Sequence, residues 1–124
     1  MTPKKVVLAD DEAHLGQLIK TKLERSGFIV VWKTDGVQTL EAVRAERPDA
    51  VVLDVMMPGL SGYEVLERIK ADPELKTIPV VMLTAQSQRG DIQRGMRLGA
   101  ADYITKPFKP AELLARIRRL FPES

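Results

Sequence analysis

Cysteine is absent from this chain of 124 residues, which excludes disulfides and thiolate metal sites. Histidine occurs once, at His14, so no histidine cluster is available to hold a metal. Apolar runs are short, and none approaches a membrane span. The basic start Met1-Thr2-Pro3-Lys4-Lys5 leads into a short apolar run that ends in two acids, which does not make a signal peptide. Charge of one sign is also lacking. The formal net charge is +2 with a pI near 9.0, a weak argument for nucleic-acid binding. Internal repeats and low-complexity segments are missing. These absences favour a soluble cytoplasmic protein with no membrane contact and no direct nucleic-acid contact.

What is present is enough for one domain. Hydrophobic residues make up 44%, a proportion that supports a packed core, and a second folded module does not fit. The domain is expected over 1–124, with short tails at 1–3 and 122–124. Strand and helix patterns alternate throughout. Strands are expected over about 4–10, 28–33, 50–54, 78–84 and 101–105. Helices are expected over about 13–26, 36–47, 62–71 and 88–98, with a last one opening at Pro110. Leu15, Leu18, Ile19 and Leu23 mark one apolar helix stripe, Val37, Leu40 and Val43 another, and Leu113, Leu114, Ile117, Leu120 and Phe121 a third. Pro48 and Gly27 stop two helices, and Ser61 is a candidate N-cap. Such alternation implies right-handed crossovers and a parallel sheet covered on both faces. The fold expected is a three-layer doubly wound α/β sandwich.

Four strands end in polar chemistry. Val6-Val7-Leu8-Ala9 leads into Asp10-Asp11, Ala50-Val51-Val52-Leu53 into Asp54, and Val80-Val81-Met82-Leu83 into Thr84. Ala101-Asp102-Tyr103-Ile104-Thr105 runs into Lys106-Pro107. In an open parallel sheet these carboxyl ends share one rim, where ligands bind. Carboxylates gathered there repel unless a cation relieves them. Magnesium suits such a set, since it takes oxygen ligands and works beside phosphate. A carboxylate so placed can attack phosphorus and form an aspartyl phosphate, while Lys106 and Thr84 supply an ammonium and a hydroxyl for the charge that develops.

Asp10-Asp11, Asp54 with Met57-Pro58-Gly59 and Gly62, Leu83-Thr84-Ala85, and Asp102-Tyr103-Ile104-Thr105-Lys106-Pro107-Phe108 resemble the receiver domain of two-component response regulators, in order and over essentially the whole chain. The resemblance implies a flavodoxin-like five-stranded parallel sheet in the order 2-1-3-4-5 with five helices. It implies Asp54 as phosphoacceptor and magnesium as cofactor, held by Asp11 directly, by Asp10 mainly through water, by Asp54, and by the backbone carbonyl of Met56. Thr84 and Lys106 would bind phosphoryl oxygens, Thr84 and Tyr103 would form the switch, and the Lys106–Pro107 bond would be cis. The donor would be a histidine kinase or a histidine phosphotransfer protein. The output would be a surface change in the fourth helix, fifth strand and fifth helix, read by a downstream target or a missing output domain. Met56 and Gln86, which flank the approach of hydrolytic water, imply slow to moderate self-dephosphorylation.

Receivers of transcription factors often pair through that same surface, so a phosphorylation-dependent homodimer is a candidate. Asp102, Glu112, Arg116 and Arg119 could contribute to it, while Ala101 departs from the acid common there. The resemblance implies a signalling protein rather than an enzyme. One rival is a magnesium-dependent phosphatase with an aspartyl-phosphate intermediate. It would need a catalytic acid two residues after Asp54, where Met56 stands. The other is a degenerate module that accepts no phosphate. Elsewhere, His14 reads as a solvent-facing helix residue, with a contact to the donor kinase as the alternative, Trp32 as cover for a sheet edge, and Gly95 as a point of close packing or of motion. Met56, Met57, Met82 and Met96 read as core filler. The polar segment Gln86-Ser87-Gln88-Arg89-Gly90-Asp91 reads as weakly anchored and mobile.

Overall fold

Strands covered on both faces need apolar side chains at every position, and the interior strands meet that demand. Val6 to Ala9, Ala50 to Leu53 and Val80 to Leu83 are all buried, none above 1% exposed. The computed structural model describes residues 2–85 and 89–122, the side chains of 85 and 89–92 excepted. Of the segment from Gln86 to Asp91 that the sequence marks as mobile, residues 86–88, Gln86 among them, lie outside the described residues, and the backbone of 89–91 begins a helix.

The elements run β1 (Lys5–Ala9), α1 (Ala13–Arg25), β2 (Ile29–Lys33), α2 (Gly36–Glu46), β3 (Ala50–Asp54), α3 (Gly62–Ala71), β4 (Val80–Ala85), α4 (Arg89–Arg97), β5 (Asp102–Lys106) and α5 (Pro110–Arg119). All described pairings are parallel, and the strand order is β2-β1-β3-β4-β5. The expected architecture is therefore the observed one. The fifth strand lies one residue later than its pattern suggested, so Lys106 is the last residue of β5 and not the first beyond it.

Side chains alternate between two cores, as the pleat requires. Val7, Ala9, Val51, Leu53, Val80 and Met82 pack with residues of α2 and α3. Val6, Leu8, Ala50, Val52, Val81 and Leu83 pack with Ile19 and Leu23 of α1 and Leu113, Leu114 and Ile117 of α5. Each fully buried Leu or Ile contributes about 2 kcal/mol of transfer free energy.

Local chemistry fixes the helix starts. Ser61 and Glu64 form a reciprocal capping box at α3, and Asp35 caps α2 by accepting from the Gln38 amide at 2.8 Å. Three expectations need correction. Val37 and Leu18, placed on inward stripes, are 49% and 45% exposed, because each helix buries a narrower face than its apolar count suggests. Met56 and Met96 are not core filler: they are 75% and 46% exposed, whereas Met82 is buried. Trp32 does more than cover the edge strand. Its ring lies over Gly16 of α1, where a Cβ would meet the indole nitrogen at 2.8 Å. His14 is exposed, and Gly95 is buried against Met82 and Tyr63, as the sequence suggested.

Candidate functional site

Parallel register carries residues far apart in the chain to one rim. Ala9 pairs with Leu53, Asp54 with Leu83, Thr84 with Thr105, and Ala85 with Lys106. Asp10 and Asp11 leave the end of β1 just beyond this line. The carboxylates of Asp10, Asp11 and Asp54 each offer an oxygen, and these oxygens lie within 4.8 Å of one another. Asp10 and Asp54 are buried, at 0% and 4% exposure, while Asp11 faces solvent.

Lys106 reaches across the sheet from β5. Its Nζ donates to Asp54 Oδ2 at 2.6 Å. The other oxygen, Oδ1, accepts from the Met56 backbone N–H at 3.1 Å. Burial opposes the charge on Lys106, but the hydrogen bond and charge of Asp54, helped by Asp10 and Glu12, hold the ammonium above its usual pKa. Asp10 is pushed the other way for an acid. Burial raises it to about 6, against the pull of the Glu12 backbone N–H, and the Asp54 charge adds to the rise. A carboxyl that ionises with difficulty is what a site built for a cation looks like before the cation arrives.

Among the described residues, two buried oxygens at this rim have no hydrogen-bond partner, Asp10 Oδ2 and Thr84 Oγ1. Such groups are costly to leave unmet. The first fits a divalent cation held among three carboxylates, and the second fits an incoming acceptor group. The residues present therefore suit magnesium. Met56 follows Asp54 on the loop out of β3, with its side chain turned to solvent.

The loop after Asp54 is pinned from behind. Gly62 N donates to Val55 O at 3.0 Å, and a Cβ on Gly62 would run into the Asp54 carbonyl oxygen. Gly62 thus lets α3 start against the backbone of Asp54. Tyr103 is half-buried on β5 and packs against the core shared with α2 and α3. Its neighbour Asp102 accepts from Arg116 at 2.9 Å. Arg94 of α4 stacks over the Tyr63 ring, 4.4 Å from its centre.

The site residues read from the sequence, Asp10, Asp11, Asp54, Thr84 and Lys106, thus share one rim. The support behind them was not read. Asp10 is held on both sides by β2: its N–H donates to Lys33 O at 3.1 Å, and its carbonyl accepts from Trp32 Nε1 at 2.9 Å. The one available signal was an aromatic at a strand end opposite a helical glycine, Gly16, too general to have been decisive.

A doubly wound parallel sheet with three carboxylates and a lysine at the carboxyl rim defines an acidic site suited to a dication and a phosphoryl group. The chain matches the family Response regulator receiver domain over residues 6–118, and it belongs to that family. It is 44% identical over 115 residues to the DNA-binding response regulator MtrA of Mycobacterium tuberculosis, an alignment covering 93% of this chain and 49% of that protein. Among solved structures it resembles the chemotaxis response regulator CheY4 of Vibrio cholerae, with a TM-score of 0.90, 30% identity, and coverage of 97% and 100% of the two chains. It also resembles the receiver domain of the sensor histidine kinase PA1611 of Pseudomonas aeruginosa, solved with magnesium in the active-site cleft. There the TM-score is 0.88, the identity 30%, and the coverage 98% and 99%. The chain spans about half the length of the curated relatives it matches. It is a receiver domain of two-component signalling, and no helix among its described residues is long and apolar enough to cross a membrane.

Proposed function

We propose that Asp54 accepts a phosphoryl group from the phosphohistidine of a histidine kinase or a histidine phosphotransfer protein. The observation that carries this reading is the contact of Lys106 Nζ with Asp54 Oδ2 at 2.6 Å beside the cluster of Asp10, Asp11 and Asp54. An Asp54 oxygen attacks phosphorus as the phosphorus–nitrogen bond breaks, and the bonding pair leaves with the donor imidazole. Asp10, Asp11 and Asp54, with the Met56 carbonyl, would hold magnesium, which supplies charge neutralisation and alignment of the phosphoryl oxygens. Lys106 stays beside the charge it already neutralises. Thr84 brings a hydroxyl that breaks no existing bond when it turns to the new oxygens.

Phosphorylation adds about −1.5 to −2 charges and strong acceptors. Drawing Thr84 inward frees space for Tyr103 and shifts a balance between two surfaces formed by α4, β5 and α5. A target, or further chain outside these residues, reads that surface, and a phosphorylation-dependent homodimer through it remains a candidate. We assign the unit 1–124 a signalling role in the cytoplasm, and any DNA contact of a longer protein to a part other than this domain.

Intact-mass measurement after incubation with acetyl phosphate and magnesium tests the reading. One slowly decaying adduct, lost in Asp54→Asn, is expected. Continuous hydrolysis of acetyl phosphate would point instead to a phosphatase, and no adduct at all to a module that has lost the reaction.

A further inference from the structure

The acid pair sits on a turn, and turns move unless something holds them. Here the hold comes from β2. Lys33 and Trp32, adjacent at the end of that edge strand, grip the two sides of Asp10: the Lys33 carbonyl takes its N–H, and the Trp32 indole gives to its carbonyl at 2.9 Å. Asp10 in turn ties the next residues, since its Oδ1 accepts from the Glu12 N–H at 2.9 Å.

The indole is packed as well as bonded. Trp32 is half-buried against the core that Ile19 and Leu23 of α1 help to form, and Gly16 makes room for its ring, because a Cβ there would overlap it. A large, flat group with one N–H and little rotational freedom is a rigid support. The oxygen it holds belongs to the residue whose carboxylate joins the cluster and whose buried Oδ2 has no hydrogen-bond partner among the described residues.

We infer that Trp32 is a positioning residue for the cation site: its indole N–H fixes the Asp10–Asp11 turn so that both carboxylates face Asp54. This rests on the reading of the cluster as a magnesium site. Supports one step removed from a metal commonly change affinity by about 10- to 100-fold. Trp32 acts on a main-chain carbonyl and not on a ligand atom, so a loss of about five- to tenfold is expected.

Trp32 is the sole tryptophan, which gives the test a spectroscopic arm. Magnesium added to the wild-type protein shifts or quenches its emission, with a midpoint equal to the calorimetric dissociation constant. Trp32→Phe keeps an aromatic ring but loses the N–H, and by calorimetry it binds magnesium about five- to tenfold more weakly. Gly16→Ala displaces the ring from the helix side and weakens binding similarly, although alanine is the better helix former. Val30→Ala, a packing loss on the same strand, leaves magnesium affinity unchanged. Wild-type emission that ignores magnesium, or a Trp32→Phe affinity within twofold of the wild type, overturns the inference and leaves the metal site standing. A wild-type protein that binds no magnesium overturns both.

Discussion

Asp10→Asn removes a charge that the fold resists, and the size of the effect can be worked out. Burial and the neighbouring Asp54 raise the carboxyl from 3.8 to about 6. At about 1.4 kcal/mol per unit, ionising Asp10 in the native protein costs about 3 kcal/mol more than in the unfolded chain. The sign is fixed by the order of the two values. Below 3.8 both states hold the proton and nothing is lost. As pH rises from 3.8 to about 6, the unfolded chain gives up its proton first, so native stability falls. Above about 6 the penalty is constant. Asparagine keeps an oxygen for the Glu12 N–H and carries no charge. In urea denaturation without magnesium, Asp10→Asn is therefore more stable than wild type by about 2–3 kcal/mol at pH 7.5, and the gap closes as pH nears 4. Saturating magnesium shrinks or reverses it, because the wild type gains more from binding. A gap of equal size at pH 4 and pH 7.5, or a variant no more stable at pH 7.5, would refute the reasoning.

Lys106→Met leaves the Asp54 carboxylate buried without its cation. It should cost about 3 kcal/mol in metal-free urea denaturation, and it should slow adduct formation with acetyl phosphate more than tenfold in time-resolved mass spectra. Gly62→Ala drives a methyl into the Asp54 carbonyl. The expected loss is about 2 kcal/mol or more, read as a lower thermal midpoint, with weaker magnesium binding because the β3–α3 loop must shift. Thr84→Val deletes a buried hydroxyl that has no partner at rest; resting stability stays within about 1 kcal/mol of wild type, while amide hydrogen exchange at β5 no longer responds to beryllofluoride. Met56→Asn tests the lifetime expectation: acyl-phosphate decay should quicken severalfold, since Met56 offers water no hydrogen bond.

The fold was legible because two periodicities agree. Unbroken apolar runs such as Val51-Val52-Leu53 demand cover on both faces, and stripes such as Leu113, Leu114 and Ile117 supply it. The rim followed from parallel topology alone, which brings Asp54 and Lys106 together across 52 positions. Hydrophobicity without neighbours was the weak guide. It put Met56, Met96 and Val37 inside, where helix and loop geometry leaves them facing water. It also gave no direction to the Trp32 indole, whose partner is a main-chain oxygen of Asp10, and main-chain oxygens carry no sequence signature. The Ser61–Glu64 reciprocity at α3 was half visible: the cap was named from its residue type, and its return bond needed coordinates.

Arg116 and Asp102 are already joined within one molecule, 2.9 Å apart and mostly shielded from water. A second copy that approaches this side finds an electroneutral couple, not two unmet charges. Exchanging partners would swap one contact for another of similar strength, for a net gain close to zero. Self-association there would then depend on the nonpolar area it hides, and added salt would weaken it little.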